Sequence, residues 1–234
     1  MNEALLEVKD LTMQFGGVTA LHKLSFAVNQ NEICGLIGPN GAGKTTLFNV
    51  ISRIYDPTTG SITFQNETLL NKASYQIAQM GIARTFQNLA LWPKMTVLEN
   101  VMAGAHIRGK QNFFSAMLRM GLAKEETKLQ RSAHTILESL DLAQYANKAC
   151  GGLPFGTMKR IELARALINK PDLLLLDEPA TGLNQSEVNE LSSLIKTVRN
   201  EYGLTILLVE HHMGMVMGIS DRVVVLDFGS KIAE

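Results

Sequence analysis

Short apolar runs alternate with amphipathic segments along most of the chain, and one long stretch breaks the rhythm. Leu5 to Val8 and Leu24 to Val28 read as strands, with the Gly16-Gly17 turn between them. Glu32-Ile-Cys-Gly-Leu-Ile37 reads as a short buried strand, and Thr46-Leu-Phe-Asn-Val-Ile51 as the start of a helix. Asp56-Pro-Thr-Thr-Gly60 is a turn cluster, after which Ser61-Ile-Thr-Phe64 alternates as a strand. A further strand is expected around Gly81-Ile-Ala-Arg-Thr-Phe-Gln87, ending on the glutamine. From Thr96 to about Ala149 strand signals vanish, and Leu129, Ala133, Ile136, Leu137 and Leu140 fall at helical spacing. Strands return as Pro171-Asp-Leu-Leu-Leu-Leu176 and Thr205-Ile-Leu-Leu-Val209, apolar enough to be buried on both faces. Met158 to Ile168 and Glu187 to Val198 are the amphipathic helices around them, and Asp221 to Leu226 is a last strand. Strands interleaved with helices predict an α/β fold with a parallel core, into which the helical block at about 96–155 is inserted. Within that block Phe113, Phe114, Met117 and Met120 are the apolar candidates for exposure, although core packing is the commoner fate of such residues.

One interval in this pattern carries strong chemistry. Gly38-Pro39-Asn40-Gly41-Ala42-Gly43-Lys44-Thr45-Thr46 has the spacing of a phosphate-binding loop, and it lies between a predicted strand and a predicted helix. Its glycines let the backbone turn successive N–H groups inward as an anion nest, and the helix N-terminus behind adds partial positive charge. Lys44 is placed to reach the β- and γ-phosphates, and the Thr45 hydroxyl to ligate Mg²⁺. Asp177-Glu178 follows four leucines, so both carboxylates are expected at the C-terminal edge of a buried strand, where open α/β sheets bind ligands. There Asp177 would hold the Mg²⁺ shell and Glu178 could polarise a water for attack on the γ-phosphate. His211, at the end of the next buried strand, could contact the same phosphate.

Other positions keep two readings each. Phe15 precedes the hairpin turn and is either an adenine-stacking face or a packed hairpin aromatic. Gln87 is either a Mg²⁺ ligand or water-orienting group, or a surface residue. Gly151-Gly-Leu-Pro-Phe-Gly-Thr157 is either a second anion-binding turn or an ordinary loop-to-helix junction.

Composition narrows the setting. Twenty-two basic residues balance twenty-two acidic ones, so charge gives no argument for nucleic acid or for an anionic membrane surface. No apolar run is long enough to span a bilayer, and the first residues lack the basic start and apolar run of a signal peptide. A cytosolic location is expected. Cys34 and Cys150 are the only cysteines, too few for a disulfide framework, and Cys34 is expected in the core.

The order of these features resembles the nucleotide-binding subunit of ATP-binding cassette (ABC) transporters. Ala83-Arg-Thr-Phe-Gln-Asn88, Met95-Thr-Val-Leu-Glu-Asn100, Glu178-Pro-Ala-Thr-Gly-Leu-Asn184 and Val216-Met-Gly-Ile-Ser-Asp-Arg222 are similar to branched-chain amino-acid importer subunits. The resemblance covers residues from about 5 to 234. It implies a P-loop NTPase cassette with a RecA-like α/β core, an N-terminal antiparallel β region and an inserted helical subdomain. Residues 1–95 and 156–234 would form the catalytic core and about 96–155 the subdomain. ATP and Mg²⁺ are the implied ligands. Phe15 resembles the adenine-stacking aromatic, Gly38 to Thr46 the Walker A loop, and Gln87 the Q-loop glutamine. Asp177 resembles the Walker B aspartate, Glu178 the general base and His211 the switch histidine.

Leu153-Pro-Phe-Gly-Thr157 stands where the signature Leu-Ser-Gly-Gly-Gln usually stands. Pro154 brings neither a hydroxyl nor an N–H and Phe155 replaces a glycine, while Leu153, Gly156 and Thr157 remain as contacts for a nucleotide across a dimer. Asn184 and His212 each replace a usual aspartate. The implied partners are a second, identical or related, cassette, two transmembrane permease subunits and, indirectly, a periplasmic binding protein. The implied place is the cytoplasmic face of the inner membrane. The alternatives are another ABC system, such as a lipopolysaccharide-type exporter, or a soluble non-transport cassette. The long coiled-coil insertion or second cassette typical of the soluble class is missing from this sequence.

Overall fold

The computed structural model describes residues 4–85, 89–105 and 122–234, with the side chains of 122–124 left aside. Gln87, Phe113, Phe114, Met117 and Met120 lie outside the described residues. The chain forms two compact units, Met1–Gln87 with Asp172–Glu234, and Asn88–Pro171.

The first unit contains both sheets. One is antiparallel and four-stranded, in the order β2-β1-β4-β5. Its long strands β1 (Ala4–Phe15) and β2 (Val18–Asn29) form a hairpin through Gly16-Gly17, where Gly16 takes a left-handed φ of 57°. They run well beyond the segments read from the sequence because register shifts between Val8 and Leu11, and between Leu11 and Met13, interrupt the two-residue alternation. β4 (Thr59–Phe64) and the two-residue β5 (Glu67–Thr68) complete that sheet.

The other sheet has six strands in the order β10-β9-β3-β8-β7-β6. β3 (Ile33–Ile37), β6 (Ile82–Arg84), β7 (Leu173–Asp177), β8 (Thr205–Val209) and β9 (Arg222–Asp227) are parallel, and β10 (Ser230–Ala233) adds an antiparallel edge. All five residues of β7 and of β8 are buried, as continuous apolar runs in a covered parallel sheet should be. A single core links the two sheets through Leu6, Leu24, Leu36, Phe48, Phe64 and Leu207. Helix α1 (Lys44–Ile51) contributes Leu47, Phe48, Val50 and Ile51 to it, and Cys34 is fully buried there. α2 (Ser74–Gln79) precedes β6.

The second unit is helical in its described parts: α3 (Val97–Ala103), α4 (Leu122–Ser139), a short 3₁₀ turn at Ala143–Tyr145, and α5 (Phe155–Leu167). Leu98, Val101, Ala133, Leu137, Leu140, Ile161 and Leu167 form its interior. Asn100 is completely buried, with its amide donating to the carbonyls of Trp92, Met95 and Thr96 and its oxygen accepting the Trp92 N–H. This unit is wider at both ends than the 96–155 expected from the loss of strand signals. The approach segment 89–95 is tied in through Asn100, and α5 packs on α3 and α4, so both belong to it. The remaining helices, α6 (Gln185–Tyr202) and α7 (Met213–Ile219), follow β7 and β8 in the first unit. No helix among the described residues is long and apolar enough to cross a membrane.

Candidate nucleotide site

The candidate site is built where β3, β7 and β8, neighbours in the sheet, reach their carboxyl ends. β3 delivers the loop Gly38–Gly43. Gly38 has φ 156° and a Cβ there would stand 2.2 Å from the Leu226 carbonyl oxygen; at Gly43, φ 99°, it would meet the Ala20 carbonyl at 2.5 Å. Only glycine fits at either position, for reasons of both backbone conformation and space. Gly41 is also left-handed at φ 83°, but nothing lies within 4 Å of its would-be Cβ, so that side of the loop is open. α1 begins at Lys44 without a side-chain cap, and its first bond runs from the Leu47 N–H to the Gly43 carbonyl. The N–H groups before Leu47 are those a helix leaves for an external acceptor.

Lys44 is 6% exposed and folds back along the loop, donating to the carbonyls of Gly38 at 2.7 Å and Pro39 at 3.0 Å. Burial lowers its pKa from the ordinary lysine value, with the Glu178 and Asp177 carboxylates pulling the other way. An incoming phosphate would replace two neutral carbonyls with formal negative charge and so favour the ammonium. Thr45 is exposed beside it and Thr46 half-buried.

β7 ends on Asp177, 4% exposed, whose N–H donates to the Thr85 hydroxyl at 3.4 Å. Its carboxylate forms a buried ion pair with Arg84, Nη2 to Oδ2 at 2.7 Å. Arg84 also donates to the Asn49 amide oxygen at 2.8 Å and lies 5.4 Å from the centre of the Phe48 ring, so one guanidinium ties β6, β7 and α1 together. Glu178 follows in a left-handed conformation, φ 47°. That geometry costs a residue with a side chain about 1–2 kcal/mol. The turn is held by the Glu178 N–H on the Val209 carbonyl at 2.8 Å and by the Thr181 N–H on the Glu178 carbonyl at 3.2 Å. Its carboxylate meets His211, Oε1 to Nε2 at 2.9 Å, while the Thr181 hydroxyl donates to Oε2 at 3.3 Å. With Glu178 ionised, His211 carries the proton on Nε2 and donates.

The residue between strand and histidine, Glu210, is buried and accepts from three backbone N–H groups, those of Ala180, His211 and His212. Sequence reasoning gave no role to Arg84 or to Glu210. Each is a charged residue at the end of an apolar strand, the same signal that singled out Asp177. His212 caps α7, its Nδ1 accepting the Met215 N–H at 3.1 Å, and its Nε2 lies 3.2 Å from the Gln185 amide oxygen.

Lys44, Asp177, Glu178 and His211 are thus brought to one sheet edge, in one unit. Phe15 is 43% exposed and packs edge-on to Tyr55, with centroids 5.2 Å apart. The turn Gly151–Thr157 belongs to the other unit. There Pro154 is the N-cap of α5, Leu153, Gly156 and Thr157 are half-buried, and Phe155 is exposed with the Lys159 ammonium 5.6 Å from its ring centre.

A glycine-lined loop with a buried lysine, opposite a carboxylate pair, is the constellation of a nucleoside triphosphatase. The family model described as ABC transporter matches residues 21–181. The chain belongs to the ABC transporter family. It is 43% identical over 234 residues to the high-affinity branched-chain amino acid transport ATP-binding protein LivG of Salmonella typhimurium, covering all of this chain and 92% of that protein. It is 39% identical over 236 residues to the corresponding protein BraF of Pseudomonas aeruginosa, with the same coverage. Among solved structures, an ATP-binding cassette of an ABC transporter in its ADP conformation superposes with a TM-score of 0.87 at 30% identity, covering 99% of this chain and 90% of that one. The ABC cassette fold expected from the sequence is therefore the fold observed, and the chain is a nucleotide-binding ABC ATPase.

Proposed function

We propose that this ABC ATPase energises an importer for branched-chain amino acids by binding and hydrolysing ATP with Mg²⁺. The supporting observation is the convergence of Lys44, Asp177, Glu178 and His211 on the carboxyl edge of adjacent strands, in a chain 43% identical to a protein named for that transport. The first-turn N–H groups of α1 and Lys44 bind the phosphates. The Thr45 hydroxyl and the Asp177 carboxylate are hard oxygen donors of the kind Mg²⁺ takes, and they stand at the same edge, so this donor set fits the ion. Held there, Mg²⁺ would neutralise phosphate charge.

Glu178, oriented by His211, accepts the proton of a water whose oxygen attacks the γ-phosphorus. The bond from that phosphorus to the bridging oxygen breaks, leaving ADP and phosphate. Gln87 joins the Mg²⁺ shell or orients that water, and Phe15 stacks on the base. A second cassette supplies Leu153, Gly156 and Thr157 to each nucleotide. The pair docks on two transmembrane permease subunits at the cytoplasmic face of the inner membrane, and a periplasmic binding protein delivers the cargo.

Replacing the base tests the chemistry. Glu178→Gln keeps size and hydrogen bonding but removes the proton acceptor, so phosphate release should fall by about 10²–10⁴-fold while ATP still binds. Turnover near the wild-type rate would overturn the assignment. Transport by the complex reconstituted with its permeases, assayed with leucine, isoleucine and valine, tests the cargo. Uptake of none of the three would overturn it.

A further inference from the structure

The catalytic edge also carries a buried carboxylate with no part in the chemistry described so far. Glu210 follows β8 and is 3% exposed. Its Oε1 accepts the Ala180 N–H at 2.6 Å, and its Oε2 accepts the N–H groups of His211 at 2.9 Å and His212 at 3.1 Å. We propose that Glu210 is a positioning residue that clips the segment carrying Glu178 to the segment carrying His211. The clip fixes the Glu178–His211 contact on which hydrolysis depends. The inference rests on the role given above to Glu178.

The chemistry of the three donors supports a carboxylate here. All are main-chain N–H groups, so no change of side chain at positions 180, 211 or 212 removes the need for an acceptor, proline excepted. An ionised carboxylate offers acceptor sites on both oxygens and no competing proton. A glutamine has one oxygen and an NH₂ group, and whichever way it turns, the NH₂ faces either the Ala180 N–H or the pair at 211 and 212. Charge-assisted bonds of this kind are also the stronger ones.

The placement makes the clip consequential. Ala180 lies two residues past Glu178, whose left-handed backbone needs the surrounding turn to hold it. His211 is the direct neighbour of Glu210, and its Nε2 reaches Glu178 Oε1 at 2.9 Å. One carboxylate thereby sets the backbone on both sides of that contact. A second tie joins the same two segments slightly farther out, where His212 Nε2 meets the Gln185 amide oxygen at the head of α6. Movement of the His211 segment would therefore be passed directly to Ala180–Asn184, the stretch that leads into α6.

The test uses purified full-length chain carrying Glu210→Gln, with Glu210→Ala as a second variant. Hydrogen exchange should accelerate at the amides of Ala180, His211 and His212, or at part of that set in the glutamine variant. kcat should fall about ten- to a hundredfold, the scale of a misplaced catalytic group, while affinity for a fluorescent ATP analogue stays within about threefold, because Lys44 and the phosphate loop are untouched. In a Glu178→Gln background, Glu210→Gln should cause no comparable further loss, since the contact it positions is already disabled.

Unchanged exchange at all three amides, or a wild-type kcat in both variants, would overturn the clip. Equal losses of kcat and nucleotide affinity would do the same, by making Glu210 a general support of the fold. If Glu178→Gln itself kept full turnover, the fault would lie in the base assignment, and the exchange measurement would still decide whether Glu210 joins the two segments.

Discussion

Two turns in this chain bring glycine to the start of a helix, and they are built on different principles. At Gly38–Gly43 the conformation is imposed from outside. Carbonyls of Leu226 and Ala20 leave no room for a side chain at Gly38 or Gly43, and Lys44 lies along the loop on two of its own carbonyls. At Gly151–Thr157 the helix is capped by a proline with no side-chain acceptor, and an exposed phenylalanine with a lysine over its ring takes the first turn. The first turn carries its own cation and a fixed nest. The second offers the general anion preference of a helix N-terminus and nothing more specific of its own.

The largest expected effect that tests this contrast is on the support beneath the first turn. Arg84→Met removes the cation that pairs with Asp177 and reaches Asn49 on α1. Leaving a buried charge unpaired costs about 3–5 kcal/mol, so the denaturation midpoint should drop sharply. An unchanged midpoint would mean that the first turn does not depend on this anchor. The next effect is on binding. Lys44→Ala removes a charge-assisted contact worth roughly 1.5–3 kcal/mol, about a ten- to hundredfold loss of ATP affinity by calorimetry. If affinity held, the loop backbone alone would bind phosphate and the two turns would be more alike than their structures.

The smallest effect comes from making the second turn resemble a capped helix start. Pro154→Ser supplies the missing N-cap acceptor and should stabilise α5 by about 1 kcal/mol, with ATP affinity of the isolated chain unchanged. A shift in that affinity would mean that the second turn already contributes to nucleotide binding without the permeases.

Legibility followed the range of the interactions. The phosphate loop was readable because its requirements are local: glycines for a tight backbone, a lysine, a helix behind. Asp177 and Glu178 were readable because four leucines announce a buried strand and its end. Arg84 takes its role from Asp177, which lies on another strand, and no spacing in the sequence links the two. Glu210 was hidden by the two histidines after it, which look more reactive, although an acid ending a fully buried strand is itself a signal. The long hairpin was under-read because bulges break the alternation that marks a strand. The turn into α5 resembles a boundary in the sequence, while in the structure α5 packs on α3 and α4.

The sheet order also has a consequence for synthesis. β3, which feeds the phosphate loop, is hydrogen-bonded on one side to β8 and on the other to β9, with Ile33 beside Ile206 and Cys34 beside Arg222. At a translation rate of about 5–20 residues per second, roughly 170 intervening residues take on the order of ten to thirty seconds to emerge. During that interval the nascent loop has its full motif but neither flanking strand. The hairpin of β1 and β2 is already complete, and residues 88–171 form a contiguous unit that can condense while the core waits. A ribosome stalled before residue 205 would thus hold a chain with every Walker A residue synthesised and neither of the strands that flank β3. Nucleotide should protect such a chain from protease only after β8 and β9 have cleared the exit tunnel.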